Sequence, residues 1–159
     1  MNDKNQAIID YLITCPQIYE NPLFFNFINA KDMNQQIVTL NNEKSLQTPY
    51  VDGSVLKRYS FTIIAFRSIS TNAIVKQDGY TDENVEEMLD VQGIIDWIDE
   101  QNENRNYPNF GENTEIDSIK ATTDNPNLRN VDTSVNPYLA QYAITIQVDY
   151  IDNSKLLWN

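Results

Sequence analysis

A chain of 159 residues, 41% of them hydrophobic and including nine Tyr and six Phe, has the size and apolar content of one folded domain, and its 23 acidic against 11 basic side chains give a net charge of −12. That balance opposes phosphate-backbone binding, which needs Lys and Arg to displace counterions. The absence of His and the single Cys15 remove Ser-His-Asp and Cys-His catalysis, the common metal sites and a disulfide framework.

In chain order, Ile8 with Leu12 and Ile9 with Ile13 stand at i,i+4 spacing, which predicts a short amphipathic helix near 5–14 that Pro16 ends. LFFNFIN at 23–29 and the apolar run near 36–41 read as two strands across the polar Lys31–Asn34 break, the pattern of a hairpin. Pro49 and Asp52-Gly53 then introduce YVDGSVLKRYSFTIIAFRS, residues 50–68, with a long central strand expected over 54–67. Tyr59, Phe61, Ile63 and Ala65 share one face of it, and Arg58, Ser60 and Thr62 the other. Leu56, Ile64 and Phe66 fall at the parity of the polar residues, so the second face needs cover from a helix or another subunit.

Residues 70–80 read as a loop with a short strand edge at Ala73–Val75. A helix is predicted near 83–104: Glu83, Glu86 and Glu87 stand where its dipole favours acids, Gly93 is expected to interrupt it, and Ile94, Ile95, Trp97 and Ile98 carry its apolar stripe beside a solvated Asp96, Asp99 and Glu100. After a loop at 106–113 comes a strand near 114–122. The polar stretch Asp124–Pro137, with two Asn-Pro steps and no DxDxDG calcium-loop spacing, is expected to be a long loop ordered by function or by a partner. The last strand, near 139–151, points Tyr142, Ile144, Ile146, Val148 and Tyr150 one way.

The architecture these elements predict is α+β: an antiparallel-dominated sheet of five strands, with mixed pairing allowed, covered on one face by two to three helices. Tyr59, Phe61, Ile63, Tyr142, Ile144, Ile146, Val148, Ile95 and Ile98 are expected to share its core. One domain over residues 1–159 is expected, with 152–159 a possible extended C-terminal tail whose Trp158 docks on its own chain or a neighbour. No apolar run reaches the ~20 residues that span a bilayer, and no signal-type start is visible, so the expected setting is a cytoplasm without membrane contact. Four glycines, Gly53, Gly79, Gly93 and Gly111, do not make a phosphate-binding or dinucleotide loop. Neither cofactor, metal nor catalytic residue is expected, and Cys15 reads as a buried structural thiol.

The succession YVDGSVLKRYSFTIIAF, then DENVEEMLDVQGIIDWIDEQN followed by a proline loop, then YAITIQVDYI, resembles the tail-terminator proteins, also called minor capsid or minor tail proteins, of long-tailed phages of Gram-positive bacteria. The likeness runs from the N-terminal helix to about Asp152, with Asp52-Gly53 and Asp96-Trp97 as landmarks. It implies a homo-oligomer, a hexameric ring, in the virion at the head–tail junction. Such a ring caps the tail tube, stops its polymerisation and receives the head; its partners are the tail tube protein and a head-completion or neck protein, and DNA passes through without specific binding. On that expectation Leu56, Arg58, Ile64, Phe66 and Trp158 contribute to subunit contacts and Glu83, Glu86 and Glu87 face the lumen. The polar stretches Ala30–Thr48 and Asp124–Pro137 are longer than the family pattern. Other neck or tail structural proteins, an acidic mimic of nucleic acid, and a two-carboxylate hydrolase stand as alternatives.

Overall fold

The computed structural model describes residues 3–39, 47–69 and 83–157. Helix α1 (Lys4–Leu12) is capped by Asp3, whose Oδ1 accepts from the Asn5 N–H at 2.9 Å, and it buries Ile8, Tyr11 and Leu12. Pro16 does more than end that pattern. With φ preset and no N–H to satisfy, it opens a second short helix, α2 (Pro16–Tyr19), which buries Ile18.

The remaining elements are β1 (Leu23–Phe25), β2 (Gln35–Thr39), β3 (Gln47–Pro49), β4 (Val55–Ile69), α3 (Glu83–Glu103), β5 (Thr114–Ala121), β6 (Asn127–Asp132) and β7 (Tyr138–Asp152). All the strands join one sheet in the order β1-β2-β4-β7-β5, with β3 also on β4 and β6 also on β7. Its frame is the β4–β7 pair, antiparallel without a break from Val55↔Asp152 to Ile69↔Tyr138. Each long strand holds two short ones end to end on its free edge. On β4, β2 takes Phe61–Ala65 and β3 takes Val55–Lys57; on β7, β5 takes Ile146–Asp152 and β6 takes Leu139–Ala143.

The period-two reading of the long strands gives the core. Tyr59, Phe61, Ile63, Tyr142, Ile144, Ile146 and Val148 lie in one buried cluster with Ile95 and Ile98 of α3 and with Ile8, Leu12 and Ile18 of the first two helices. All three helices thus cover a single face of the sheet. Arg67 continues the same parity and is fully buried under α3, where Asp90 answers its charge.

Several expectations are corrected. Among the described residues the sheet has seven strands, the five expected ones together with the short β3 and β6. β1 and β2 are not a hairpin but a parallel pair, Leu23↔Gln35 to Phe25↔Ile37, and β1 stops at Phe25. The reason is local. Asn26 turns out of the strand at φ 49, while its backbone and side chain still bond to β2: Asn26 N–H donates to Ile37 O at 2.8 Å and Thr39 N–H donates to Asn26 Oδ1 at 3.0 Å. Residues 27–33 then return to the start of the sheet, where the Met33 N–H donates to Phe66 O at 2.9 Å. The stretch 124–137 is not all loop: it carries β6, an exposed edge strand. Gly93 does not interrupt α3, which is one helix of 21 residues. A Cβ at Gly93 would sit 2.4 Å from Gln17 Nε2, so the glycine leaves room for the Gln17 side chain of α2 against α3, at a helix-propensity cost of about 1 kcal/mol. The expected strand edge at Ala73–Val75 and the side chains of Glu83 and Trp158 lie outside the described residues.

Candidate functional site

The surfaces follow from the two faces of the β4–β7 ribbon. On the face away from the helices, Arg58 forms a two-point ion pair with Asp149 across the strands, Nε to Oδ1 at 2.7 Å and Nη2 to Oδ2 at 3.1 Å, and Thr62 and Thr145 hydroxyls meet at 3.1 Å. Ile64 and Phe66, expected to need a partner, are 6% and 4% exposed within this chain. They cluster with Leu139 and Ala143 of β7, against Val38 of β2, so cross-strand neighbours supply cover that the strand alone could not show. Leu56 is half-buried. Of the residues expected at subunit contacts, Ile64 and Phe66 are thus covered within the chain and Arg58 is paired with Asp149.

At one end of the sheet the C-terminal residues fold back instead of extending freely. Lys57 Nζ lies 2.7 Å from Asp152 Oδ2, and the Ser154 N–H donates to Asp152 Oδ1 at 2.9 Å. Partial burial alone would raise the Asp152 pKa, but the Lys57 and Ser154 hydrogen bonds hold it well below the carboxylate range. The Asn153 N–H donates to Asn113 O at 2.7 Å and the Leu157 N–H to Asp52 O at 2.8 Å. Gly53, at φ 94, has Lys155 O so close that a Cβ would lie 2.3 Å from it. The clasp therefore joins the β3–β4 turn, the start of β5 and the C-terminal segment.

α3 carries eight acids and neither Lys nor Arg. Asp96, Asp99, Glu100 and Glu103 are exposed, as is Glu86; Glu87 is half-buried, and the Tyr142 pKa is raised by burial first and then by the Glu87 charge. Of the three acids expected to face a lumen, Glu86 is exposed and Glu87 is half-buried. Asp99 has its pKa raised, by burial first and then by the carboxylates of Asp96, Asp124 and Glu103. Among the described residues, no group of three or more Asp, Glu or Cys side chains is placed to hold a metal ion, and no helix is long and apolar enough to cross a membrane. Cys15 is fully buried, and burial pushes its thiol up to about 11, the opposite of an activated nucleophile.

Two open clefts flank α1 and the 106–113 loop. One, about 550 Å³, is lined by Asp3, Asp10, Tyr11, Asn106 and Tyr107; the other, about 590 Å³, by Lys4, Phe110, Glu112, Tyr150 and Asp152. Tyr11 closes the base of the first by donating to Asn106 O at 2.9 Å.

The exposed apolar side chains were not singled out by sequence reasoning as surface. Phe27 and Ile28 are 59% and 70% exposed in the β1–β2 connection, and Leu89 and Leu128 are 54% and 51% exposed on α3 and β6. No protein-family model matches the chain, and no curated protein matches it.

Proposed function

We propose that this chain is a tail-terminator subunit of a long-tailed phage: copies close into a ring, six in the family it resembles, at the head-proximal end of the tail tube. There the ring stops tube growth and offers the head-completion or neck protein its docking surface. The observation that carries the reading is the solvent side of α3, where acids stand without a single base along 21 residues. DNA must pass through such a ring without being gripped, and carboxylates within a Debye length of the duplex, about 8 Å at physiological salt, repel it directly. The exposed Glu86, Asp96, Asp99, Glu100 and Glu103 are the acids for the channel wall.

The same stripe suits an acidic mimic of nucleic acid, which would remain a monomer or dimer and bind a basic protein. Sedimentation mass and electron micrographs of the purified chain separate the two. A ring, with no retardation of duplex DNA even at low salt, is expected. A ring whose channel is lined by Lys and Arg, or tight duplex binding, would sink the passage role; a monomer or dimer that captures a DNA-binding protein would replace the terminator with the mimic.

A further inference from the structure

The two clefts beside α1 share a chemistry, and only one of them is supplied with a cation by the chain itself. In the second cleft, the buried rings of Phe110 and Tyr150 lie with the carboxylates of Glu112 and Asp152. Lys4 Nζ sits there 5.5 Å from the centre of the Tyr150 ring, and Lys57 Nζ reaches Asp152 at 2.7 Å.

The first cleft repeats the rings and the carboxylates without the cation. Tyr11 and Tyr107 line it together with the buried Pro108. Both hydroxyls are used within the chain, Tyr11 on Asn106 O and Tyr107 on Asp117 O, which leaves the rings as what the tyrosines offer a ligand. On the other wall, Asp3 and Asp10 stand two turns of α1 apart, on one face of the helix and about 10 Å from each other along its axis. Asp3 accepts the Asn5 N–H on Oδ1 and Asp10 accepts Gln6 Nε2 on Oδ1, so each keeps Oδ2 without a hydrogen bond among the described residues. Neither Lys nor Arg is among the lining residues; Arg105, next to Asn106 in the sequence, is exposed and stands outside them.

At about 550 Å³ the cleft has the volume of a small-molecule site, and the net charge of −12 draws cations toward the surface and repels anions. We propose that it binds a linear alkyl diamine, with one ammonium group on Asp3, the other on Asp10, and the methylene chain against Tyr11, Tyr107 and Pro108. Two carboxylates at a fixed separation select for length, and the apolar wall between them selects for a hydrocarbon middle. This site lies on α1 and the 106–109 segment and is independent of the ring reading, which rests on α3.

The test is a titration of the 15N-labelled full chain, at about 0.15 M salt so that diffuse attraction is screened, followed through its backbone amides. The probes are 1,8-diaminooctane, 1,3-diaminopropane, which is too short to reach both carboxylates, and a peptide carrying two lysines. The long diamine should give saturable shifts at Ala7, Tyr11, Thr14 and Tyr107, and the short one should bind more weakly. Asp10→Asn keeps an acceptor for Gln6 and removes the charge; it should weaken the long diamine about fivefold, the worth of one exposed ion pair. Asp96→Asn combined with Asp99→Asn, on the acidic face of α3, should leave that affinity unchanged. Shifts that spread over α3 without saturating at the cleft, or an Asp10→Asn chain that binds like the wild type, would overturn the site. Equal binding of the two diamines would overturn the two-point arrangement. Binding of the peptide but of neither diamine would overturn the small-molecule assignment and give the cleft to a lysine-bearing protein. The readout needs no assembly, so it stands or falls separately from the ring.

Discussion

Removing Asp90 should damage this protein far more than removing the arginine it serves. Arg67 is fully buried, while the Asp90 side chain is 41% exposed. The guanidinium donates from Nε to Asp90 Oδ2 at 3.1 Å and from Nη1 to Phe66 O at 2.9 Å; Nη2 lies equally near Oδ2 but does not point at it and is left without a hydrogen bond. Asp90→Asn would leave a buried cation with no counter-charge and only neutral amide and backbone oxygens as acceptors, and loss of the partner of a buried charge costs about 3–5 kcal/mol. Arg67→Met removes the charge and keeps most of the volume, a change that is often neutral or stabilising for buried pairs. With a urea slope of about 2 kcal/mol per M, the first predicts a midpoint lowered by roughly 1.5–2.5 M and the second a shift under about 0.5 M. The double variant should resemble Arg67→Met alone. Equilibrium urea unfolding followed by tryptophan fluorescence measures all three, and an Asp90→Asn cost below about 1 kcal/mol, or a larger cost for Arg67→Met, would refute the reasoning.

Phe61→Ala, at a fully buried position between the long strands and the helices, should cost about 3–5 kcal/mol in the same assay. Gln36 is 1% exposed with both amide atoms unpartnered, opposite Ile64 in register, so Gln36→Met should stabilise by about 1–2 kcal/mol; a loss of stability would show that its amide is bonded after all. Asp152→Asn should cost about 1 kcal/mol at neutral pH. Because the Asp152 pKa is lowered on folding, that contribution is present above the ordinary carboxylate value of about 3.9 and is lost as pH falls through the folded value, so wild-type and variant melting curves should converge only in acid. Gly53→Ala, at positive φ and against Lys155 O, should release the C-terminal clasp and speed hydrogen exchange at Leu157, with little change at Ile146 in the sheet centre.

The two long strands were legible because burial on one face writes a period of two, and Phe61, Ile63, Ile144 and Ile146 obey it. β6 was not, because an edge strand exposed on both faces, such as Asn127–Asn130, has no burial to impose a period. The parallel course of β1 and β2 was hidden for another reason. Polarity marks where a chain turns but not which way it returns, and here Asn26 decides it. Ile64 and Phe66 looked like an unpaired surface because their cover is Leu139 and Ala143, far along the chain.

The register of β4 on β7 also bears on how the molecule assembles itself. β6 and β7 are joined by residues 133–137 alone, so Asp132↔Leu139 closes a small loop, and pairing can travel outward from there through β5. The pairing of β4 with β7 is another matter: even its nearest contact, Ile69↔Tyr138, spans the whole of α3, β5 and β6. Contacts of such separation are entropically late, which places the local β5/β6–β7 ribbon early in folding and the arrival of β4 near its rate-limiting step. A substitution at Ile63 should therefore speed unfolding more than it slows folding, whereas one at Val131 or Ala140 should act chiefly on the folding rate.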